Sequence, residues 1–165
     1  MDFFVQKNSI VRKIWGKSDT VLFIFAGAAA EFALNKAVDW LYFTGRLPTD
    51  PLGRLFSTVS YARKIIFAKN ESALKIIDSI YLIHKTVEKK RSSTIPDWAY
   101  RDVLFMLIHY SIASFEVLER KLSIDEKEEV YDVFFRFGKR MKLKDLPPDY
   151  ASWIPQRKTD MENDM

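Results

Sequence analysis

The sequence predicts an all-α, single-domain bundle of about six helices. Apolar residues return at helical spacing along almost the whole chain. The breaks between these runs are short: TGRLPTD (44–50), RSSTIP (91–96) and LKDLPPD (143–149), and none resembles an interdomain linker. No alternating apolar–polar run bounded by an Asn-Gly or Asp-Gly turn is present.

The elements follow in order. A first helix is expected around Phe3–Trp15, closed by Gly16. Ser18 and Asp19 open a second, which should run over 19–42. Gly27 lies in its Ala-rich middle, where a missing side chain permits close helix packing. Asp50-Pro51 pairs an N-cap with proline at the first helical position and starts a helix over 51–68. Asn70-Glu71 caps the next, over 71–90, and Pro96-Asp97 opens another, over 97–121. Ser123-Ile124-Asp125-Glu126 is a capping box for a helix over 124–141. Residues 1–155 are thus read as one domain, and 156–165 as a polar, disordered tail.

Composition narrows the chemistry. The 165 residues are 48% hydrophobic, enough for one buried core, and carry a net charge of +4, too mild for a dedicated nucleic-acid binder. The absence of Cys removes disulfides, thiolate zinc sites, iron–sulfur clusters and cysteine nucleophiles. It also fits a reducing compartment. Two His exclude any centre that needs three imidazoles. The most apolar stretch, Val21–Leu34, is 14 residues long and contains Glu31, whereas a membrane span needs about 20. A cytoplasmic protein without an integral membrane span and without a nucleic-acid partner is therefore expected.

Three constellations remain. His84 shares a helix face with Ile77, Ile80, Tyr81, Val87 and Glu88. It reads either as a core histidine satisfied by one hydrogen bond or as an axial ligand to haem iron, which needs one imidazole on a rigid helix beside an apolar slot. Arg54 and Thr58 stack one turn apart, with Tyr61 and Ile65 further along. Arginine in a helix's first turn opposes the macrodipole, so an anionic partner is expected: a propionate, a substrate carboxylate, or an acid such as Glu31 or Asp39. Otherwise Arg54 makes an ordinary ion pair and Thr58 bonds back to its carbonyl. His109 shares its face with Phe105, Ile112 and Glu116, as a pocket-lining or a structural residue. The basic runs 85–91 and 137–144 read as solvated helix ends.

Asp50-Pro51-Leu52-Gly53-Arg54-Leu55-Phe56-Ser57-Thr58 resembles the D-P-x-x-R-L-x-x-T segment of the haem-dependent MpaB-type oxygenases, a family that includes the latex clearing proteins. The helix leading to Ile83-His84, the Tyr-Arg-Asp helix that reaches Leu107-Ile108-His109, and Leu122-Ser123-Ile124-Asp125-Glu126 are similar to that family's later motifs, in the same order. The likeness covers about residues 10–155. It implies an all-α protein holding haem b, with His84 as the iron ligand and Arg54 and Thr58 beside the cofactor as binding and catalytic residues. It implies a hydrophobic small-molecule substrate and dioxygen as partners. Ser57 stands where the rubber-cleaving branch has lysine, and Glu31 and Asp39 are the nearest counterparts of that branch's catalytic glutamate. The competing reading is a non-catalytic helical module that binds a ligand or a partner without haem. Oligomeric state has no signature in the sequence.

Overall fold

The computed structural model describes residues 2–38 and 51–165, with the side chains of 51–57 outside that description. The described residues form seven α-helices, one more than the sequence predicts: α1 (Ile10–Gly16), α2 (Ser18–Phe32), α3 (Pro51–Phe67), α4 (Asn70–Arg91), α5 (Asp97–Leu118), α6 (Ile124–Arg140) and α7 (Tyr150–Asp164). A short 3-10 turn, Lys36–Val38, follows α2. The all-α expectation is correct.

The first helix starts late. Ser9 accepts a hydrogen bond from Val11 N at 3.1 Å, which caps the chain at Ile10. Residues before the cap lie extended instead. Phe3 makes an isolated bridge to Lys69. Phe4 and Val5 are buried, and Arg136 donates to the Phe4 carbonyl at 2.8 Å.

The expected 19–42 helix stops at Phe32. Asn35 explains the break within the described residues. Its Oδ1 accepts from Ala37 N at 2.7 Å and its Nδ2 donates to Asp102 Oδ2 at 2.9 Å. An Asn side chain that bonds the backbone competes with the helical ladder in this way. The predicted stretch beyond Val38, including Asp39, lies outside the described residues.

α5 is the centre of the bundle, and α2 packs along it most extensively. Gly27 makes that approach possible: a Cβ there would run into the ring of Tyr110. Trp15, Phe105, Ile24, Ile77, Met106, Ile108, Val130 and Tyr131 are all but inaccessible to solvent. Within this core Trp15 Nε1 donates to Ser111 Oγ at 3.2 Å, and Phe105 stands edge-on to Trp153 at 6.0 Å. The capping box of α6 is realised on both sides. Glu126 N donates to Ser123 Oγ at 3.2 Å, and Ser123 N donates to a Glu126 carboxylate oxygen at 3.0 Å.

α7 corrects the expectation of a disordered tail at 156–165. Asp149 caps it through Ser152 N at 2.7 Å, and it runs to Asp164. Its buried face is Trp153, Arg157 and Asp160, spaced as one helical stripe but mostly charged. Arg157 forms a buried ion pair with Glu31 on α2, and Arg101 on α5 meets Asp160 at 3.3 Å. The segment is held by charge pairs, which an apolar periodicity cannot register.

Candidate functional site

α3 and α4 are consecutive, joined through Ala68 and Lys69, and pack on one another. Burial along α3 rises from exposed Thr58, through half-buried Val59 and Ala62, to buried Ile65 and Ile66. Thr58, which the resemblance places beside the cofactor, is exposed, and among the described residues of this helix Ile65 and Ile66 are the ones buried in the core. Arg54 occupies the first turn of α3, and its side chain lies outside the described residues.

His84 sits on α4 in the half-buried position its neighbours suggested. Ile77 is fully buried, and Ile80, Tyr81 and Val87 are partly so. Its Nδ1 lies 2.8 Å from the Ile80 carbonyl, one turn back. A carbonyl can only accept, so Nδ1 donates, and in the neutral ring the lone pair is then on Nε2. That is the second bond a metal-ligating imidazole ordinarily makes. Among the described residues Nε2 has no hydrogen-bond partner. Leu82 and Ile83, in the same turn, expose 62% and 48% of their surface, an unusual amount of apolar area beside a histidine.

A polar network lies one turn further on. Glu88 is buried; its carboxylate accepts from Lys85 at 2.8 Å, from Ile95 N at 3.1 Å and from the Tyr100 hydroxyl at 3.2 Å. Burial alone would raise its pKa, but these donors outweigh it and hold the carboxyl below its ordinary value. Tyr100 comes from α5, and its ring stands at 74° to the His84 ring with centroids 5.4 Å apart. Glu88 was legible as a member of the His84 face. Tyr100 was not, because nothing in local spacing tells which residue of a later helix will cross it.

His109 lies elsewhere, at the meeting of α2, α5 and α7. Its ring is edge-on to Tyr110 at 4.9 Å. The residue keeps an exposed edge, yet protein atoms crowd the ring. That desolvation, followed by the Arg157 charge, pushes its pKa below the ordinary value, with Glu31 opposing. Glu116, expected to line a pocket with His109, is engaged away from it. It takes Lys127 at 2.9 Å, Lys121 at 3.1 Å and Leu122 N at 3.0 Å. Glu31, one expected partner of Arg54, is paired with Arg157 and hydrogen-bonded by Tyr110. Close by, Asp102 is buried with Oδ1 unpartnered.

Among the described residues no three His, Asp or Glu side chains converge to hold a metal ion. The available donor is one anchored imidazole, suited to a cofactor that brings its own remaining ligands. Among the described residues, no helix is long and apolar enough to cross a membrane.

Comparison with known proteins agrees with the motif order. The family model described as ER-bound oxygenase mpaB/B'/rubber oxygenase, catalytic domain, matches residues 12–153. No curated protein and no solved structure matches the chain. The family match spans most of the bundle, from α1 into α7, and covers both the α3–α4 pair and the helix that carries Tyr100. The chain belongs to the MpaB/rubber oxygenase catalytic-domain family.

Proposed function

We propose that this protein is a haem-b-dependent oxygenase acting on a hydrophobic organic substrate, with His84 as the iron ligand. The observation that carries the reading is the 2.8 Å contact between Nδ1 and the Ile80 carbonyl, which in the neutral ring leaves Nε2 as the ligating atom. Ile80, Tyr81 and Val87, partly buried on the His84 face, offer apolar contact area for a macrocycle. Redox chemistry with dioxygen comes from the bound haem iron.

Arg54 and Thr58 complete the site in this reading. Arg54 is fourteen residues before Ala68, and His84 fifteen after Lys69; at the helical rise each lies about 20 Å along its helix from the connection. They therefore stand at similar levels on adjoining helices. Arg54 would hold a propionate, as an arginine fork pairs with any carboxylate, and Thr58 would add a hydroxyl one turn along. These contacts bind and orient the cofactor while the apolar surroundings recruit the substrate.

The test is a hemin titration of the purified protein, followed by absorbance, with His84→Ala and His109→Ala in parallel. The parent and His109→Ala should develop the same shifted Soret band, and His84→Ala should lose it. Loss in His109→Ala alone overturns the ligand assignment. No shift in the parent rejects the haem reading and favours the helical ligand-binding or interaction module.

A further inference from the structure

We infer that Tyr100 is the positioning residue for the His84 imidazole, with Glu88 as its anchor. The inference deepens the proposed function and rests on His84 being the ligand. An unrestrained histidine side chain favours its proton on Nε2, the tautomer that cannot ligate through that nitrogen. The Ile80 carbonyl selects the other tautomer only while the ring stays turned toward it. That carbonyl belongs to the helix on which His84 rides, so the bond restrains the ring from its own helix only. Tyr100 supplies a second hold, from outside that helix. It arrives from α5, a separate element, and its ring meets the imidazole at 74° with 5.4 Å between centroids. Edge-to-face geometry of this kind is attractive and directional.

Tyr100 is itself restrained. Its hydroxyl donates to Glu88 Oε1 at 3.2 Å, and the same oxygen accepts from Ile95 N at 3.1 Å. Lys85 closes the other carboxylate oxygen at 2.8 Å. Glu88 lies one turn beyond His84 on the same helix, so Tyr100 spans that turn, ring on His84 and hydroxyl on Glu88.

The readout is the protonation pattern of the His84 ring in cofactor-free protein, from long-range imidazole nitrogen–proton correlation spectra. The chain has two histidines, so His84→Ala assigns the pair. In the parent, Nδ1 should carry the proton. In Tyr100→Leu the ring should become a tautomeric mixture, and hemin should bind at least about ten-fold more weakly, the lower end of what outer partners of a metal ligand usually cost. Tyr100→Phe and Glu88→Gln, which keep the ring but loosen its anchor, should move both readouts part of the way. Thermal melts accompany each variant, since a purely structural tyrosine would lower the melting temperature and leave the tautomer alone. An unchanged tautomer in folded Tyr100→Leu overturns the inference. If that variant does not fold, an unchanged tautomer in both Tyr100→Phe and Glu88→Gln overturns it. A tautomer that shifts with hemin affinity intact overturns it too. A parent that takes up no hemin rejects the proposed function instead, and the tautomer measurement still decides what Tyr100 does.

Discussion

Removing Arg157 should destabilise the fold far more than a change near the end of the chain ordinarily does. Arg157 and Glu31 form an ion pair whose side chains are only 6% and 4% exposed. Deleting one member of a buried pair leaves the other as an uncompensated charge, at a cost of about 3–5 kcal/mol. Two features trim that figure. Tyr110 still hydrogen-bonds the Glu31 carboxylate, and the Arg157 guanidinium carries a buried Nε without a partner, whose removal returns about 1 kcal/mol. Arg157→Met should therefore cost about 3 kcal/mol. For a chain of this length that lowers the melting temperature by roughly 10 °C. Urea denaturation of the parent, Arg157→Met, Glu31→Gln and the double variant closes a mutant cycle. The double variant should be more stable than Arg157→Met, because no bare charge remains, and deletion of 156–165 should cost at least as much as Arg157→Met. If Arg157→Met stays within about 1 kcal/mol of the parent and the cycle is additive, the buried pair does not hold α7 and the argument fails.

Gly27→Ala should destabilise by about 1–3 kcal/mol, since the new methyl occupies the place of the Tyr110 ring; near-ultraviolet dichroism should report the displaced tyrosine. Asp102→Asn should stabilise at neutral pH. Burial first, then Asp164 and Asp160, raise its pKa to about 6 against the help of Asn35 and Arg101. Between about pH 4 and 6 the folded state keeps a proton the unfolded chain has released, so stability falls as pH rises through that window. The substitution should thus gain about 1–2 kcal/mol at pH 7 and nothing below pH 4, as read by denaturation at both values. Ser123→Ala should cost about 1 kcal/mol by the same assay, through loss of the α6 cap. Arg157→Met should raise the pKa of His109 in a proton-resonance titration, because the Arg157 charge is one of the forces that depress it.

What the sequence made legible follows the kind of force at work. The helix starts at Pro51, Asp97 and Ile124 were readable because proline and the Ser123 capping box act within one turn; the start at Asn70 also matched, although its cap is Lys69 and makes no side-chain bond, so the expected Asn70-Glu71 cap is not formed. The end of α2 was not. It depends on Asn35 reaching Asp102, sixty-seven residues away, a contact no local pattern announces. α7 escaped for a related reason: its inward stripe is Trp153, Arg157 and Asp160, and charged residues read as solvent-facing until their partners Glu31 and Arg101 are in place. At the site, the apolar wall around His84 and the carbonyl for its Nδ1 follow from helical spacing. Tyr100 is a tertiary contact and was hidden. Thr58 shows the limit of a face argument. It shares the stripe of Ile65, but that stripe is buried only where other helices cover it.

The two histidines show how one chain can prepare two imidazoles for different work. Both are edge-on to a tyrosine, so ring contact alone does not separate them. Their surroundings do. Crowding first, then the Arg157 charge, disfavour a positive charge on the His109 ring, with Glu31 opposing. His84 lies one turn from a buried carboxylate, and the tyrosine between them links the two. Nδ1 of His84 lies 2.8 Å from the Ile80 carbonyl, so in the neutral ring Nε2 is the atom left to ligate. The Glu31–Arg157 pair in turn has a use that needs no cofactor, since it ties α2 to α7 across the face of α5. On the proposed function His84 is the iron ligand, and His109 stays with the packing of the bundle.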